Sequence, residues 1–342
     1  MPHTFVFIDL HSWGGWGKPA GWTFWVIKSQ RVRSQKGYKT MMPLSKTMCS
    51  LYGLLLSTIV LAQTPLDKPS LNQVTQISPY FFGPNAFPIP DMSDGRVIDK
   101  IQVETSGDLF MGKRGDHTVD TSLKINVPLW TNRASLSLWM PVMEWWKNTD
   151  ESLSASRISD DYKDEAAKGH MAGDVYVALE MQLFRQDKFP FDGVLRSVLK
   201  TASGDGYHLA RYYDSPGYFF DATLSRSFQK SEKMSFRIGV SSGFLCWQTD
   251  NGRQNDAVMY GLMGMCENEK ISVSYVFGGY CGWENNIKER GRAAHDSPMS
   301  HKLRFAWNFS RWGIFVYGQK GIRDYPYDQI RLGVVYNYDI LK

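Results

Sequence analysis

The sequence predicts an all-β protein: an antiparallel transmembrane β-barrel of about 12 strands, with short periplasmic turns and longer extracellular loops. Three observations lead to this prediction. Side chains alternate between apolar and polar along about 240 residues, an export signal precedes them, and short connections alternate with long ones. A period of two is typical of a β-strand whose faces meet different environments. When this alternation follows an export signal, it favours a barrel that is apolar outside and polar inside over a soluble sheet.

Residues 41–62 are interpreted as a signal peptide. Their apolar run, residues 49–62, has 14 residues and is too short for a membrane-spanning helix, which needs about 20. Lys46 precedes the run, and small or medium-sized residues lead to a cleavage site after Ala62. Because a signal peptide begins a chain, we interpret residues 1–40 as an over-extended N-terminus.

Charge and composition exclude several classes of function. The whole chain has a net charge of +5, but residues 1–62 hold seven of its Lys and Arg residues and one Asp, so the exported part is close to neutral. We therefore expect no nucleic-acid partner. No phosphate-binding glycine loop or zinc signature is present, and the acidic stretch 148–170 lacks the glycine spacing of a calcium loop. We expect no cofactor and no metal ion.

The alternating segments divide into twelve predicted strands. They are 98–111, 119–130, 134–147, 171–185, 194–203, 217–229, 234–248, 257–267, 271–281, 301–309, 313–321 and 329–340. The connections after the even-numbered strands are short, and those after the third, fifth, seventh and ninth are mostly longer, as in outer-membrane barrels. Residues 98–342 are therefore predicted to form a barrel in the cell outer membrane, in contact with its lipid.

Alternation also predicts which charged side chains face the lumen, where a solute would contact them. These side chains are Lys124, Glu180, Asp221, Arg237, Arg304 and Arg331. Charges inside a membrane barrel must be hydrated or paired. Two interpretations remain open: the three arginines form a basic track for anions, or they pair with acidic residues such as Glu104, Glu180 and Asp221.

Residues 63–97 hold six of the 15 prolines of the chain. Proline removes a backbone donor, so this segment is not predicted to be a regular strand. It is interpreted either as a plug that folds into the barrel from the periplasm or as a mobile lead-in. Its aromatic residues, among them Phe82 and Phe87, favour packing against other residues.

Another candidate site is the loop that follows the fifth predicted strand. Lys200, Arg211 and Asp214 are predicted either to form an ion-paired network at the barrel mouth with Asp221 or only to hold the loop in place. Together with the segment 78–90 and the C-terminal stretch 332–341, residues 199–221 resemble a group of uncharacterised outer-membrane β-barrel proteins of Bacteroidetes. The resemblance implies the compartment and the fold, but no activity and no catalytic residue.

The predicted function is that of a channel or transporter for small solutes. The sequence predicts no particular oligomeric state. One alternative is an outer-membrane lipid hydrolase, because His295, Ser297 and Asn308 resemble the residue set of outer-membrane phospholipases. A serine nucleophile needs a base within hydrogen-bond reach. His295 and Ser297 lie in a charged loop, so this geometry is unfavourable. Another alternative is a non-conducting barrel that anchors other envelope proteins.

Overall fold

The structure is a computed structural model that describes residues 78–130, 133–156, 158–231, 233–248, 254–282 and 297–339. The predicted signal peptide and the interpretation of residues 1–40 concern residues outside these ranges. So does His295, and so do residues 63–77 of the proline-rich segment.

The described residues form one antiparallel sheet of thirteen strands. The strands are Ile101–Gly112 (β1), His117–Trp130 (β2), Ala134–Lys147 (β3), Lys168–Met171 (β4), Tyr176–Phe184 (β5), Asp192–Lys200 (β6), Gly217–Ser231 (β7), Met234–Gln248 (β8), Gln254–Glu267 (β9), Ile271–Gly282 (β10), Met299–Phe309 (β11), Trp312–Arg323 (β12) and Tyr327–Tyr338 (β13). β1 pairs with β13 from Ile101 opposite Tyr338 to Gly112 opposite Tyr327, which closes the sheet. The result is the predicted closed antiparallel barrel of 12 strands, since β4 is only a short addition to its wall.

The prediction of one continuous strand over residues 171–185 is wrong, because the structure has two strands there, β4 and β5, with a gap between them. β4 pairs with the last four residues of β3, and β5 pairs with the first six. The gap between β4 and β5 faces Pro141 of β3, whose nitrogen carries no hydrogen for a ladder bond. Only the carbonyl of Pro141 is used there, as it accepts a hydrogen bond of 2.9 Å from the N–H of Gly173.

Two short helices precede β4 in the long connection after β3: Asp150–Ala155 (α1) and Lys163–Ala167 (α2). Thr149 caps α1, since its side chain accepts a hydrogen bond from the N–H of Ser152. Among the described residues, no helix is both long enough and apolar enough to cross a membrane.

The connections at the two ends of the barrel differ in length. The turn between β9 and β10 spans residues 268–270, and the one between β11 and β12 spans 310–311. At the other end, residues 148–175 connect β3 to β5, and residues 201–216 connect β6 to β7. Short turns are periplasmic and longer loops extracellular in outer-membrane barrels, so these two ends are called the turn end and the loop end.

Large apolar side chains are exposed on the outside of the wall. Val240 is 51% exposed, Leu262 is 55% exposed and Leu332 is 59% exposed, whereas their neighbours along each strand point inward. A soluble protein rarely exposes a continuous apolar surface of this kind. A closed barrel with such an exterior satisfies its backbone hydrogen bonds within lipid. The chain is therefore an outer-membrane β-barrel.

A charge placed on this exterior should destabilise the barrel. Leu262 lies near the middle of β9, and we expect Leu262→Arg to lower the free energy of unfolding in phospholipid vesicles by about 2–4 kcal/mol, because arginine is costly at mid-membrane. Leu262→Ala, which adds no charge, should cost clearly less. On a water-exposed surface Leu262→Arg would change stability by only about 0.5 kcal/mol, and that result would contradict contact with lipid.

Candidate functional site

The described part of the proline-rich segment, residues 78–97, lies inside the lumen and runs from the loop end to the turn end. Near the loop end, the hydroxyl of Tyr327 donates to the carbonyl of Phe82 over 3.0 Å. Near the turn end, the N–H of Val97 donates to Oε1 of Gln182 over 2.9 Å. Phe82 and Val97 are both buried. We call residues 78–97 the lumen segment.

Side chains of the wall satisfy the backbone of the lumen segment. Nζ of Lys302 donates to the carbonyls of Ile89 and Pro90 over 2.9 and 3.2 Å. Nη2 of Arg196 donates to the carbonyl of Asp91 over 2.6 Å. Buried carbonyls need such partners, and a proline-rich backbone does not form a sheet ladder. The segment is thus held by side chains rather than added to the sheet as another strand.

Two ion pairs attach the lumen segment to the wall. Asp91 lies 2.6 Å from Nζ of Lys302, and Arg96 lies 2.8 Å from Glu267. Each pair therefore places a charged side chain of the segment against an opposite charge of the wall.

At the loop end, a buried network joins the lumen segment to the wall and to the loop 201–216. Nδ2 of Asn85 donates to Asp120 over 2.6 Å and to Glu144 over 2.7 Å. Glu144 also accepts from Arg211, at 2.5 Å, and from the hydroxyl of Tyr212, at 3.0 Å. Neither Glu144 nor Arg211 is appreciably exposed. Residues from β2, β3, the loop and the lumen segment thus meet at one cluster.

Gly83 allows this close approach. A Cβ atom at position 83 would lie only 2.7 Å from Cζ of Arg211. Any larger residue would therefore have to displace the guanidinium group that pairs with Glu144. The glycine is needed for packing rather than for an unusual backbone angle.

Four of the charged residues predicted to face the lumen lie in ion pairs. Asp221 pairs with Arg196 at 2.8 Å, and Arg237 pairs with Asp192 at 2.8 Å. Arg304 lies 3.6 Å from Glu104, and Arg331 pairs with Asp108. The arrangement agrees with the interpretation that the arginines are paired, and not with a basic track. Only one of the acidic partners suggested from sequence, Glu104, pairs with one of these arginines.

Lys124 and Glu180 complete the predicted lumen residues, and both line the remaining cavity. Nζ of Lys124 lies 5.7 Å from the ring centroid of Trp139, in a cation–π arrangement. Oε2 of Glu180 accepts a hydrogen bond from Ser135 over 3.3 Å. These two charges therefore face the space that a solute would occupy.

Two of the three predicted loop residues, Lys200 and Arg211, take part in buried ion pairs at the loop end. Lys200 pairs with Asp174 over 2.5 Å, and both side chains are buried. Burial raises the pKa of Asp174, and the charge of Lys200 opposes that effect. Arg211 pairs with Glu144, as described above. Asp214 lies in the same loop.

The residues predicted for a hydrolase do not converge within the described part of the chain. Oγ of Ser297 is 3.3 Å from Sγ of Cys281, to which it donates, and the backbone N–H of Ser297 donates to Asp324. Asn308 lies at the opposite end of β11, roughly 30 Å away at about 3.3 Å per residue. Among the described residues, no group of three or more His, Cys, Asp or Glu side chains is arranged to hold a metal ion.

Several important residues were missing from the sequence prediction. Lys302 is two residues before Arg304 and shares its inward face, so alternation was a usable signal for it. Asp108 lies four residues after Glu104 and Asp120 lies four residues before Lys124, so alternation gave the same signal for both. Glu144 gave no such signal, because an irregularity in the pairing of β2 and β3 next to Pro141 changes the face on which its side chain lies.

A cavity of about 1160 Å³ remains beside the lumen segment. Its lining includes Asp187, in a turn at the turn end, and reaches the buried side chain of Tyr325, between β12 and β13, where the apolar core residue Trp247 also lines it. Amide and hydroxyl side chains line the wall between them, including those of Gln102, Asn126 and Ser137. These groups can donate and accept hydrogen bonds, so the cavity suits polar solutes.

Known proteins of the same architecture are outer-membrane barrels. An outer-membrane channel from Pseudomonas putida F1 is 11% identical, with a TM-score of 0.50 over 73% of this chain and all of that one. The NanC porin is 12% identical, with a TM-score of 0.43 over 68% of this chain and 98% of that one. LpxR from Salmonella typhimurium is 10% identical, with a TM-score of 0.43 over 69% and 99%. No protein-family model and no curated protein sequence matches the chain. At these identities the first likeness shows the fold alone, and the other two add no argument.

Removal of Arg211 should be far more costly than removal of an exposed lysine. Arg211→Met leaves the buried carboxylate of Glu144 without its cation, and we expect a loss of about 3–5 kcal/mol in the free energy of unfolding. The control is Lys320→Met, which breaks the exposed pair with Asp328 and should cost at most about 1 kcal/mol. Guanidinium unfolding in phospholipid vesicles measures both. Glu144→Gln should recover part of the loss in the Arg211→Met background. If Arg211→Met and Lys320→Met lowered the free energy of unfolding equally, the account would be contradicted.

Proposed function

We propose that this protein is an outer-membrane channel for small polar solutes in which the lumen segment acts as a plug. The observation that supports the proposal most strongly is the polar cavity of about 1160 Å³ beside the segment, which is lined from Asp187 at the turn end to the buried Tyr325 near the loop end. A filled barrel with no function in transport would have no need of such a space. The fold is shared with an outer-membrane channel from Pseudomonas putida F1 and is compatible with this proposal.

The attachment of the lumen segment suits a plug that can move. Apart from the hydrogen bond from Gly83 N–H to the carbonyl of Ala210 in a loop, its contacts with the barrel are made by side chains. Ion pairs and side-chain hydrogen bonds can be exchanged for water one at a time. A shift of residues 91–97, with Phe82 and Phe87 still packed in the apolar core, would therefore widen the pathway without opening the ladder of the wall.

The pairing of lumen charges bears on selectivity. Because Arg237, Arg304 and Arg331 each have an acidic neighbour, the wall offers no continuous field of one sign to attract anions. We infer that the solutes are small polar molecules held mainly by hydrogen bonds. The similarity to uncharacterised barrels of Bacteroidetes remains a prediction, and it adds nothing about the solute.

Releasing the lumen segment should increase conductance. The variant Asp91→Asn/Arg96→Gln removes the ion pairs with Lys302 and Glu267 and nearly preserves side-chain size. In planar bilayers we expect this variant to show longer or larger openings than the wild type, with a severalfold increase in mean current, because neutral side chains hold the plug less strongly.

The matched control is Lys320→Gln/Asp328→Asn, which removes an ion pair with the same 2.6 Å separation on the outside of the wall. Its current should equal that of the wild type. If the Asp91→Asn/Arg96→Gln variant folds but both it and the wild type remain silent, the channel proposal is wrong and a non-conducting barrel is favoured. If the wild type conducts and this variant conducts equally, the lumen segment does not act as the plug.

A further inference from the structure

A cluster of basic side chains lies on the outside of the wall at the loop end. It consists of His117 on β2, Lys147 on β3, and Lys168 and His170 on β4, and all four are exposed. The inward neighbours Thr118 and Trp146 are buried. We call these four residues the basic patch.

Strand register brings the members of the basic patch together. His117 is directly opposite Lys147, and Lys147 is directly opposite Lys168, so the three side chains form a row across neighbouring strands. His170 lies opposite Trp145, one step toward the membrane. Cα atoms of opposed residues are about 4.5–5.5 Å apart. One anionic group about the size of a phosphate can therefore reach several of these side chains at once.

The basic patch has no acidic partner among the described residues. No ion pair joins any of its four side chains to a carboxylate there. Like charges directly opposite on adjacent strands are destabilising. At the same height elsewhere on the barrel, the exposed Lys320 lies opposite Asp328 and pairs with it at 2.6 Å. The wall therefore pairs an exterior lysine with a carboxylate in one place and leaves two opposed lysines without an ion pair in another.

The patch borders the apolar exterior of the barrel. Trp145 and Val119 lie just below it and are 43% and 45% exposed, so the patch lies at the edge of the apolar band. Aromatic residues at such an edge mark the boundary with lipid headgroups. Ammonium groups and imidazole N–H groups bind phosphate oxygens through charge-assisted hydrogen bonds.

We propose that the basic patch binds the phosphate of a lipid headgroup in the outer leaflet. The acyl chains would lie against the apolar side chains below it, including Trp145. The lipid would supply the negative charge that the wall lacks at this point. This site faces lipid and is separate from the lumen, so it does not depend on the proposed transport function.

Binding of lipid A, a glycolipid with two phosphates, to the folded full-length protein in detergent tests the proposal. A fluorescent label on an acyl chain reports the affinity by anisotropy, and dephosphorylated lipid A measures binding without the phosphates. We expect the wild type to prefer the phosphorylated form by about tenfold. Lys147→Ser/Lys168→Ser should abolish that preference, because it removes the two ammonium groups of the row.

The matched control is Lys188→Ser/Lys270→Ser, which removes two exposed lysines from the turn end. This variant should retain the preference. The proposal is overturned if Lys147→Ser/Lys168→Ser, shown to be folded by its heat-dependent gel shift, still prefers phosphorylated lipid A. It is also overturned if inorganic phosphate removes the preference of the wild type at a concentration equal to that of the lipid, because the site would then serve a free anion.

Discussion

The lumen of this barrel contains charged side chains that are withdrawn from bulk water and must therefore be paired. A buried charge without a partner costs several kcal/mol, whereas a pair with further hydrogen bonds can be accommodated. Some pairs lie within the wall, as between Arg196 and Asp221. Others need the lumen segment, as between Lys302 and Asp91. Wall and segment therefore depend on each other, since neither satisfies all of its own charges.

This mutual dependence explains how a segment without secondary structure has a defined position. Prolines prevent residues 78–97 from joining the sheet, and wall side chains provide the donors that a neighbouring strand would otherwise supply. At the loop end, Asn85 contacts both Asp120 and Glu144, which ties the segment to the network of Arg211. The same pairing that positions the segment also limits any excess of charge along the solute pathway.

Alternation in the sequence was sufficient to predict the strands of the wall, but not which side chains pair with each other inside the lumen. The predicted strands 134–147 and 234–248 have the same bounds as β3 and β8. The interruption opposite Pro141 was missed, since it results from pairing with a different strand. Glu104 and Arg304 are 200 residues apart in the sequence, and their contact depends on the closure of the barrel. Asn85 and Asp91 gave no periodic signal, because their segment has no regular structure.

Cross-linking of the lumen segment to the wall tests the central claim most directly. Met92 approaches Gly261 of β9, where a Cβ atom would lie 3.5 Å from Cγ of Met92. With Cys246, Cys266 and Cys281 replaced by serine, the variant Met92→Cys/Gly261→Cys should form a disulfide on oxidation in the membrane. A control pair, Ser241→Cys/Gly261→Cys, joins directly opposed positions on β8 and β9. Cross-linking of both pairs is the result expected for a segment that occupies the lumen. A disulfide in the control alone would contradict it.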